Sequence, residues 1–201
     1  MRKNWIKITI FLLVFFSLSG YSPFAPKTVA AQLYLPLVLN SLGSCPVISN
    51  GDFEQGATVW KQTSKIGSPL ILDANAFRTA THGVATPHGG SWAALLCGVE
   101  NEVASLKQSI SVAAGCPNLT FWHWIDSFAP SGVHFEKVLI TNLNGTTLVD
   151  TYDLSSDTVT NGWERRSLSL SAYAGQTVTL EIRAECNTTD LSILLLDDFS
   201  F

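Results

Sequence analysis

Residues 177–185, TVTLEIRAE, alternate without a break. Val178, Leu180, Ile182 and Ala184 fall on one face, and Thr177, Thr179, Glu181, Arg183 and Glu185 on the other. A period of two is the side-chain period of an extended strand, and a strand with one apolar face must bury it against a second layer. The signature recurs along the chain. SLKQSISV (105–112) turns Leu106, Ile110 and Val112 inward with Gln108 as the exception, and ERRSLSLS (164–171) does the same with Leu168 and Leu170. NLTFWHWI (118–125) is apolar on both faces apart from Thr120 and His123, as a central strand is. SWAALL (91–96), FEKVLITNL (135–143), TTLVDTYDL (146–154) and SILLLDDFSF (192–201) read as further strands.

Turn residues separate these runs. Asn144-Gly145 predicts a two-residue hairpin of type I′, because Asn and Gly tolerate the positive φ that this turn requires. Asn161-Gly162 and Ala174-Gly175 mark two more turns, and helical periodicity is nearly absent. About nine or ten strands joined by turns predict an all-β fold, an antiparallel β-sandwich.

The two ends of the chain bound its setting. Residues 1–31 have the form of a secretory signal peptide. Arg2, Lys3 and Lys7 precede the apolar run Ile8 to Phe16, and the small residues of TVAA (28–31) offer a cleavage site. An anchor would need about 20 apolar residues, and Ser17, Ser19, Gly20 and Ser22 interrupt this run. No transmembrane segment is therefore expected after signal removal. Removal takes Arg2, Lys3, Lys7 and Lys27 but no acid, so eight of the twelve bases remain against sixteen acids, a formal charge of −8. With Arg165-Arg166 as its one adjacent basic pair, such a chain has no concentrated face for phosphates, which argues against nucleic acid and anionic membrane as partners. Residues 32–44, apolar and Pro-containing, read as a spacer or a sticky N-terminal arm. Residues 45–201 are long enough for one domain with a single core.

All four cysteines, Cys45, Cys97, Cys116 and Cys186, lie in that domain. An even count in an exported chain predicts two disulfides, and the absence of C-x-x-C argues against zinc. Spacing alone leaves all three connectivities open.

No catalytic motif stands out. There is no H-E-x-x-H and no G-x-S-x-G. Gly89-Gly90-Ser91-Trp92 comes nearest but opens a strand rather than a strand-to-helix turn. His82 and His88 share a Gly- and Thr-rich loop, where metal binding competes with simple exposure. His134 has no evident partner. Sugar binding needs aromatic faces flanked by hydrogen-bonding groups. Trp122 and Trp124 share one face of their strand, and Phe121 and His123 the other. One pair must face the second sheet. The other could line an outer platform with Asp126 or Gln108, unless neighbouring strands or loops cover it. Phe77, Arg78, Glu100 and Asn101 offer an alternative site on edge loops. The sequons at Asn118, Asn144 and Asn187 would matter only in a host that glycosylates exported protein.

The order of landmarks is informative as a whole: NGDFEQG followed by a Trp, then GGSWAALL, SLKQSISV, NLTFWHW, NGWERRSLSLSAYAGQTVTLEIR and a closing LLLDDFSF. Over residues 45–201 it resembles the galactose-binding-like jelly roll shared by MAM-type domains and by carbohydrate-binding modules of secreted bacterial proteins. The resemblance implies core positions for Trp60, Trp92 and Trp163. It also implies that first and last strands lie side by side, joined by a structural calcium ion. Glu54 matches the acidic position after the strand Phe, and Asp197 and Asp198 match a closing Asp pair. Crowded carboxylates repel and must protonate or take a counter-ion, and calcium accepts several hard oxygens. Strand parity ranks Glu54 and Asp198 above Asp52 and Asp197, while solvated or Lys/Arg-paired acids at the sandwich rim are the competing reading.

Cys116 precedes one strand and Cys186 follows another. Were those strands antiparallel neighbours, Cys116 would pair with Cys186 and leave Cys45 with Cys97. This departs from MAM domains, whose final cysteine lies beyond the closing strand. The expectation from sequence is thus a secreted, non-catalytic module, extracellular or held at a cell surface. It would bind a carbohydrate or cell-surface glycan, and the rival is a MAM-like domain that binds another protein or a second copy of itself.

Overall fold

The structure of the chain, a computed structural model, describes residues 44–186 and 188–201. The expected signal peptide, nearly all of the spacer and the Asn187 sequon lie outside the described residues. Among these residues ten strands, one α-helix and a 3₁₀ turn follow in order: β1 (Lys61–Ser64), β2 (Ile71–Asp73), α1 (Ala74–Ala80), β3 (Trp92–Cys97), β4 (Glu102–Ser111), β5 (Asn118–Ser127), β6 (Phe135–Asn142), β7 (Gly145–Asp153), β8 (Glu164–Ser169), the 3₁₀ turn (Ser171–Tyr173), β9 (Thr177–Cys186) and β10 (Ser192–Ser200). They form two five-stranded sheets, β1-β4-β9-β6-β7 and β2-β3-β10-β5-β8, with every neighbouring pair antiparallel. This is the predicted all-β sandwich. No helix among the described residues is long and apolar enough to cross a membrane.

The alternating patterns do what their period requires. Val178, Leu180, Ile182 and Ala184 of β9 meet Leu119, Phe121 and Ile125 of β5 and Leu194 and Leu196 of β10 in one core between the sheets. Gln108, the polar exception on β4, is buried there and donates from Nε2 to the Ser49 carbonyl at 2.9 Å. A buried amide is tolerated when its hydrogen bonds are made.

Several local expectations are corrected. The β6–β7 turn centres on Leu143 and Asn144, and the closing pair is Asn142 with Gly145. Of these residues only Gly145 has positive φ, so the turn is not type I′. The helix α1 was not anticipated because one short segment with a single buried residue, Phe77, leaves no periodicity to read. Asp73 caps it, its Oδ1 accepting from the backbone N–H groups of Asn75 and Ala76, both at 2.9 Å. Phe77, expected on an edge loop, is wholly buried.

The disulfides also differ from the pairing inferred above. Cys45 bonds Cys116 and Cys97 bonds Cys186. The inference placed β5 and β9 side by side, but they belong to opposite sheets. Cys97–Cys186 therefore links the end of β3 in one sheet to the end of β9 in the other, and Cys45–Cys116 ties the domain entrance to the approach of β5.

NGDFEQG is not a strand. Asn50 (φ 50°), Phe53 (φ 57°) and Gly56 (φ 64°) all lie in the left-handed region, and the segment turns on itself. The buried Asn50 organises it. Its Nδ2 donates to the Gly56 carbonyl and its Oδ1 accepts from the Gln55 N–H, both at 2.9 Å. Left-handed backbone is unfavourable for a bulky residue, and burial offsets the cost. The Phe53 ring is fully enclosed against Trp60 (centroids 5.5 Å) and Phe199 (5.9 Å). The Phe199 N–H donates to the Gly51 carbonyl at 2.9 Å, so the domain's first segment does lie along its last strand.

A Cβ at Gly51 would overlap the backbone carbonyl of Phe199. Gly51→Ala is therefore expected to lower stability by about 2–3 kcal/mol, checked by chemical denaturation. An unchanged midpoint would mean that this seam is loose.

Candidate functional site

Strand β5 carries the site. Its alternation points Phe121, His123 and Ile125 into the core, as one of the two sequence alternatives had it, and leaves Trp122, Trp124 and Asp126 half-buried on the outer face. Asp197 of β10 and Arg165 of β8 flank Trp122 in register. The segment 81–91, between α1 and β3, crosses this face and is clamped at five points. The His88 ring stacks on Trp122 with centroids 4.0 Å apart and planes 20° apart. Its Nδ1 lies 2.6 Å from Asp198 Oδ2. The backbone N–H groups of His88 and Gly89 donate to Asp197 Oδ2 at 3.0 and 3.1 Å. Those of Ser91 and Trp92 donate to Glu54 Oε1 at 2.7 and 2.8 Å. Trp163 Nε1 donates to the Thr86 carbonyl at 2.9 Å.

These contacts say what the acids beside Phe53 and Phe199 do: they hold a loop on an aromatic surface. Glu54 grips it from one side, Asp197 and Asp198 from the other, and Gly90 (φ 52°) passes so close to Glu54 that a Cβ would overlap the carboxyl. Asp52 is exposed and only its Oδ1 takes part, 3.4 Å from the Glu54 N–H. Strand parity had ranked Asp198 above Asp197. The register breaks between Asp197 and Ser200, with Asp198 at φ 51°, so both acids reach the crossing segment. Asp197 is the wholly buried acid and Asp198 is part-exposed. Burial pushes the Asp197 carboxyl up to about 7, against the lowering effect of the Gly89 N–H and with added repulsion from Asp198.

Among the described residues, no three His, Cys, Asp or Glu side chains gather at metal-ligating spacing. Backbone N–H groups take up much of the carboxylates' capacity. A shallow concavity of about 350 Å³ nevertheless lies between Asp52, Asp198, Gly51 and Ser200.

The aromatic face has two parts. Trp122, His88 and Trp163 form a cluster, with His88 and Trp163 edge-on at 5.8 Å. Trp124 stands edge-on to Trp163 at 6.1 Å and packs with Phe77, Ala85 and Leu195 beneath the crossing segment. Trp163 thus belongs to the outer surface rather than the main core, where Trp60 is buried. Trp92 packs half-buried at the edge of that core. Beside Trp124, a groove of about 120 Å³ is lined by Asp126, His82, Thr81 and the exposed Phe128.

Other candidates fall away from this surface. His123 faces the core, 2% exposed, with Nδ1 2.9 Å from Glu136 Oε2. Arg166 completes that buried network, bridging Glu136 and Asp150 and lying over the Tyr152 ring. Gln108 sits on the other sheet. Glu100 and Asn101 are exposed between β3 and β4, and Arg78 is exposed on α1. His134 Nδ1 lies 2.8 Å from Ser192 Oγ, and its Nε2 2.7 Å from Thr188 Oγ1. This resembles a nucleophile–base pair, but both residues are fully buried and the Ser192 hydroxyl also bonds Ser127 and the Leu154 carbonyl. It is a structural bridge.

No protein-family model and no curated protein matches the chain. Solved structures match its fold. TmCBM61, solved in complex with beta-1,4-galactotriose, superposes with a TM-score of 0.53 at 15% identity, covering 78% of this chain and 97% of that one. The K2 cleaved adhesin domain of Lys-gingipain superposes with a TM-score of 0.55 at 18% identity, over 79% and 100%. The K1 adhesin domain of Lys-gingipain from Porphyromonas gingivalis W83 gives 0.51 at 15%, over 78% and 96%. The fold is the β-sandwich of carbohydrate-binding modules and of these adhesin domains.

Asp197 gives a pH signature. Its folded pKa of about 7 stands above the ordinary 3.8, so the folded state binds the proton more tightly. Stability is therefore lost as pH rises between those values and levels off above. Between about pH 5 and pH 8 the loss is on the order of 3 kcal/mol. Asp197→Asn does not titrate and lacks this slope. Denaturation curves of both proteins at several pH values check it; parallel pH profiles would contradict it.

Proposed function

We propose that the domain is a non-catalytic, extracellular carbohydrate-binding module whose glycan lies on the outer face of the β2-β3-β10-β5-β8 sheet. One observation carries this reading. The half-exposed aromatic groups Trp122, His88 and Trp163 are held rigidly together, and the Asp126–His82 groove continues the same face. Sugars present C–H faces to aromatic rings and hydroxyls to carboxylate, imidazole and guanidinium groups; Arg165 stands beside Trp122 in register and Asp126 lines the adjoining groove. A clamped loop also loses little freedom on binding, which favours affinity. The likeness to a module solved with a galacto-oligosaccharide supports this class of ligand, and two disulfides suit an oxidising, extracellular setting.

The experiment is a glycan array followed by calorimetry on any hit. Trp122→Ala and Asp126→Ala are each expected to weaken binding roughly tenfold or more, with near-ultraviolet circular dichroism showing the fold retained. No retained glycan, together with self-association or capture of a protein partner in sedimentation, would favour the rival adhesion reading. That reading draws its support from the likeness to the gingipain adhesin domains.

We also propose a structural calcium ion in the concavity between Asp52 and Asp198, with Glu54 and Asp197 as the other acids of the region. The support is the convergence of the first and last segments there and the part-exposed Asp198 carboxyl. Because the acids do not gather three to a point, backbone carbonyls and water would supply the remaining oxygens, which calcium accepts. Millimolar calcium is expected to raise the melting temperature by several degrees over a chelator-treated sample. Identical melting curves would remove the ion and leave the acids with the loop-clamping role alone.

A further inference from the structure

Past Trp124 the outer face runs into the groove of about 120 Å³ between the end of β5, the start of β10 and segment 81–84. A groove of that size takes a substituent rather than a whole ligand, since sites for complete small molecules begin at about 300 Å³. A smaller hollow lined by Trp124, Ala85 and Leu195 shares Thr81, Val84, Asp126 and Ile193 with it, so groove and tryptophan form one surface. The apolar wall is Val84, Leu191 and Ile193, with Phe128 at its rim. Val84 is 64% exposed and Phe128 75%, and packing within the domain accounts for neither. Three polar side chains complete the lining: Thr81, His82 and Asp126. The Thr81 hydroxyl already donates toward the Phe77 and Ala85 carbonyls, at 2.9 and 3.2 Å. Asp126 lies on the face of Trp122 and Trp124 and joins none of the ion pairs among the described residues, and His82 is exposed. The groove therefore offers one carboxylate that only accepts and one imidazole that can donate, beside an apolar wall.

We propose that this groove is an acetamido subsite, and that the glycan taken by the aromatic face contains N-acetylated hexosamine. The inference rests on the carbohydrate-binding reading and gives it a substrate class. An acetamido group carries one N–H donor, one carbonyl acceptor and one methyl. The N–H donates to the Asp126 carboxylate, the carbonyl accepts from the His82 ring N–H, and the methyl packs against Val84 and Ile193. The sugar ring that bears the group turns a C–H face to the exposed Phe128 ring. Other substituents match less of the lining. A hydroxyl can donate to Asp126 but leaves the apolar wall in water. An acetyl ester covers the wall but has no donor for the carboxylate, and a free ammonium pairs with Asp126 while leaving both His82 and the wall unused.

The test uses the secreted protein and two sets of sugars that differ only at the second carbon of each ring. In one set triacetylchitotriose is compared with cellotriose and with the deacetylated trimer. In the other, methyl N-acetyl-β-galactosaminide is compared with methyl β-galactoside and with its free amine. Binding is read from titrated protein amide shifts. In at least one set the acetamido sugar is expected to bind roughly tenfold or more tighter than the hydroxyl form, and tighter than the amine. Val84→Glu fills the groove and Phe128→Ala removes its rim; both side chains are exposed, so neither exchange opens the core. Each variant should bring the acetamido and hydroxyl sugars to within about threefold of one another. A hydroxyl sugar bound as tightly as its acetamido partner, with binding lost in Trp122→Ala, overturns the acetamido subsite and leaves the carbohydrate reading standing. An amine bound most tightly overturns it in favour of simple charge recognition at Asp126. An acetamido preference undiminished in both variants overturns the groove as its location. If no sugar of either set binds, the inference falls, and the carbohydrate reading falls with it only if the glycan array also retains nothing.

Discussion

The Phe53 ring, enclosed by Trp60 and Phe199 and joined through Phe199 to Phe121 at 4.8 Å, is the contact on which the rest of this structure depends. It brings the beginning of the domain against its end, and the Phe199 N–H to Gly51 carbonyl bond sets the alignment. Four aromatic rings buried together contribute several kcal/mol beyond what the flanking polar residues could. That is enough to hold Asn50 and Phe53 in left-handed backbone. With that seam in place, Glu54 on one segment and Asp197 and Asp198 on the other stand around the same loop.

The loop is where the two ends of the domain act on the outer face of the sheet. Its backbone N–H groups are taken by carboxylates on both sides, and one of its side chains, His88, lies flat on Trp122. A surface segment in a sandwich is ordinarily the most mobile part of it. Here hydrogen bonds to carboxylates of the domain's first and last segments hold it against an aromatic strand, so the fold itself sets the ring positions. The cost is the burial of Asp197, whose proton affinity rises in consequence. The interior shows the complementary solution: His123, Glu136 and Arg166 are buried together as partners, and His134 is satisfied at both ring nitrogens.

Much of this was legible in the residues. Alternation in 177–185 and 118–125 marked strands β9 and β5, and it divided Trp122 and Trp124 from Phe121 and His123 because a pleated strand has only two faces. The matching acids near the two ends pointed to a common place. The premise of regular pleating failed for NGDFEQG and around Asp198 alike, although Glu54 and Asp198 do point away from Phe53 and Phe199. Parity assumes regular pleating, whereas an Asn-organised turn and a register break each change which way a side chain points. The disulfides escaped for another reason. Antiparallel direction can be guessed from strand order, but sheet membership cannot, and β5 and β9 lie on opposite layers.

By itself, the sequence determined the layered all-β architecture, the inward faces of the strands and the aromatic character of β5, because these follow from a period of two and from burial of apolar area. Only the tertiary structure decided that His88 covers Trp122, that Asp197 rather than Asp198 is the buried acid, and that Val84 shares a groove with Asp126 and Phe128. Each of these joins segments far apart in the chain, and such contacts are chosen by how two packed sheets and their loops meet in space, which no local pattern encodes.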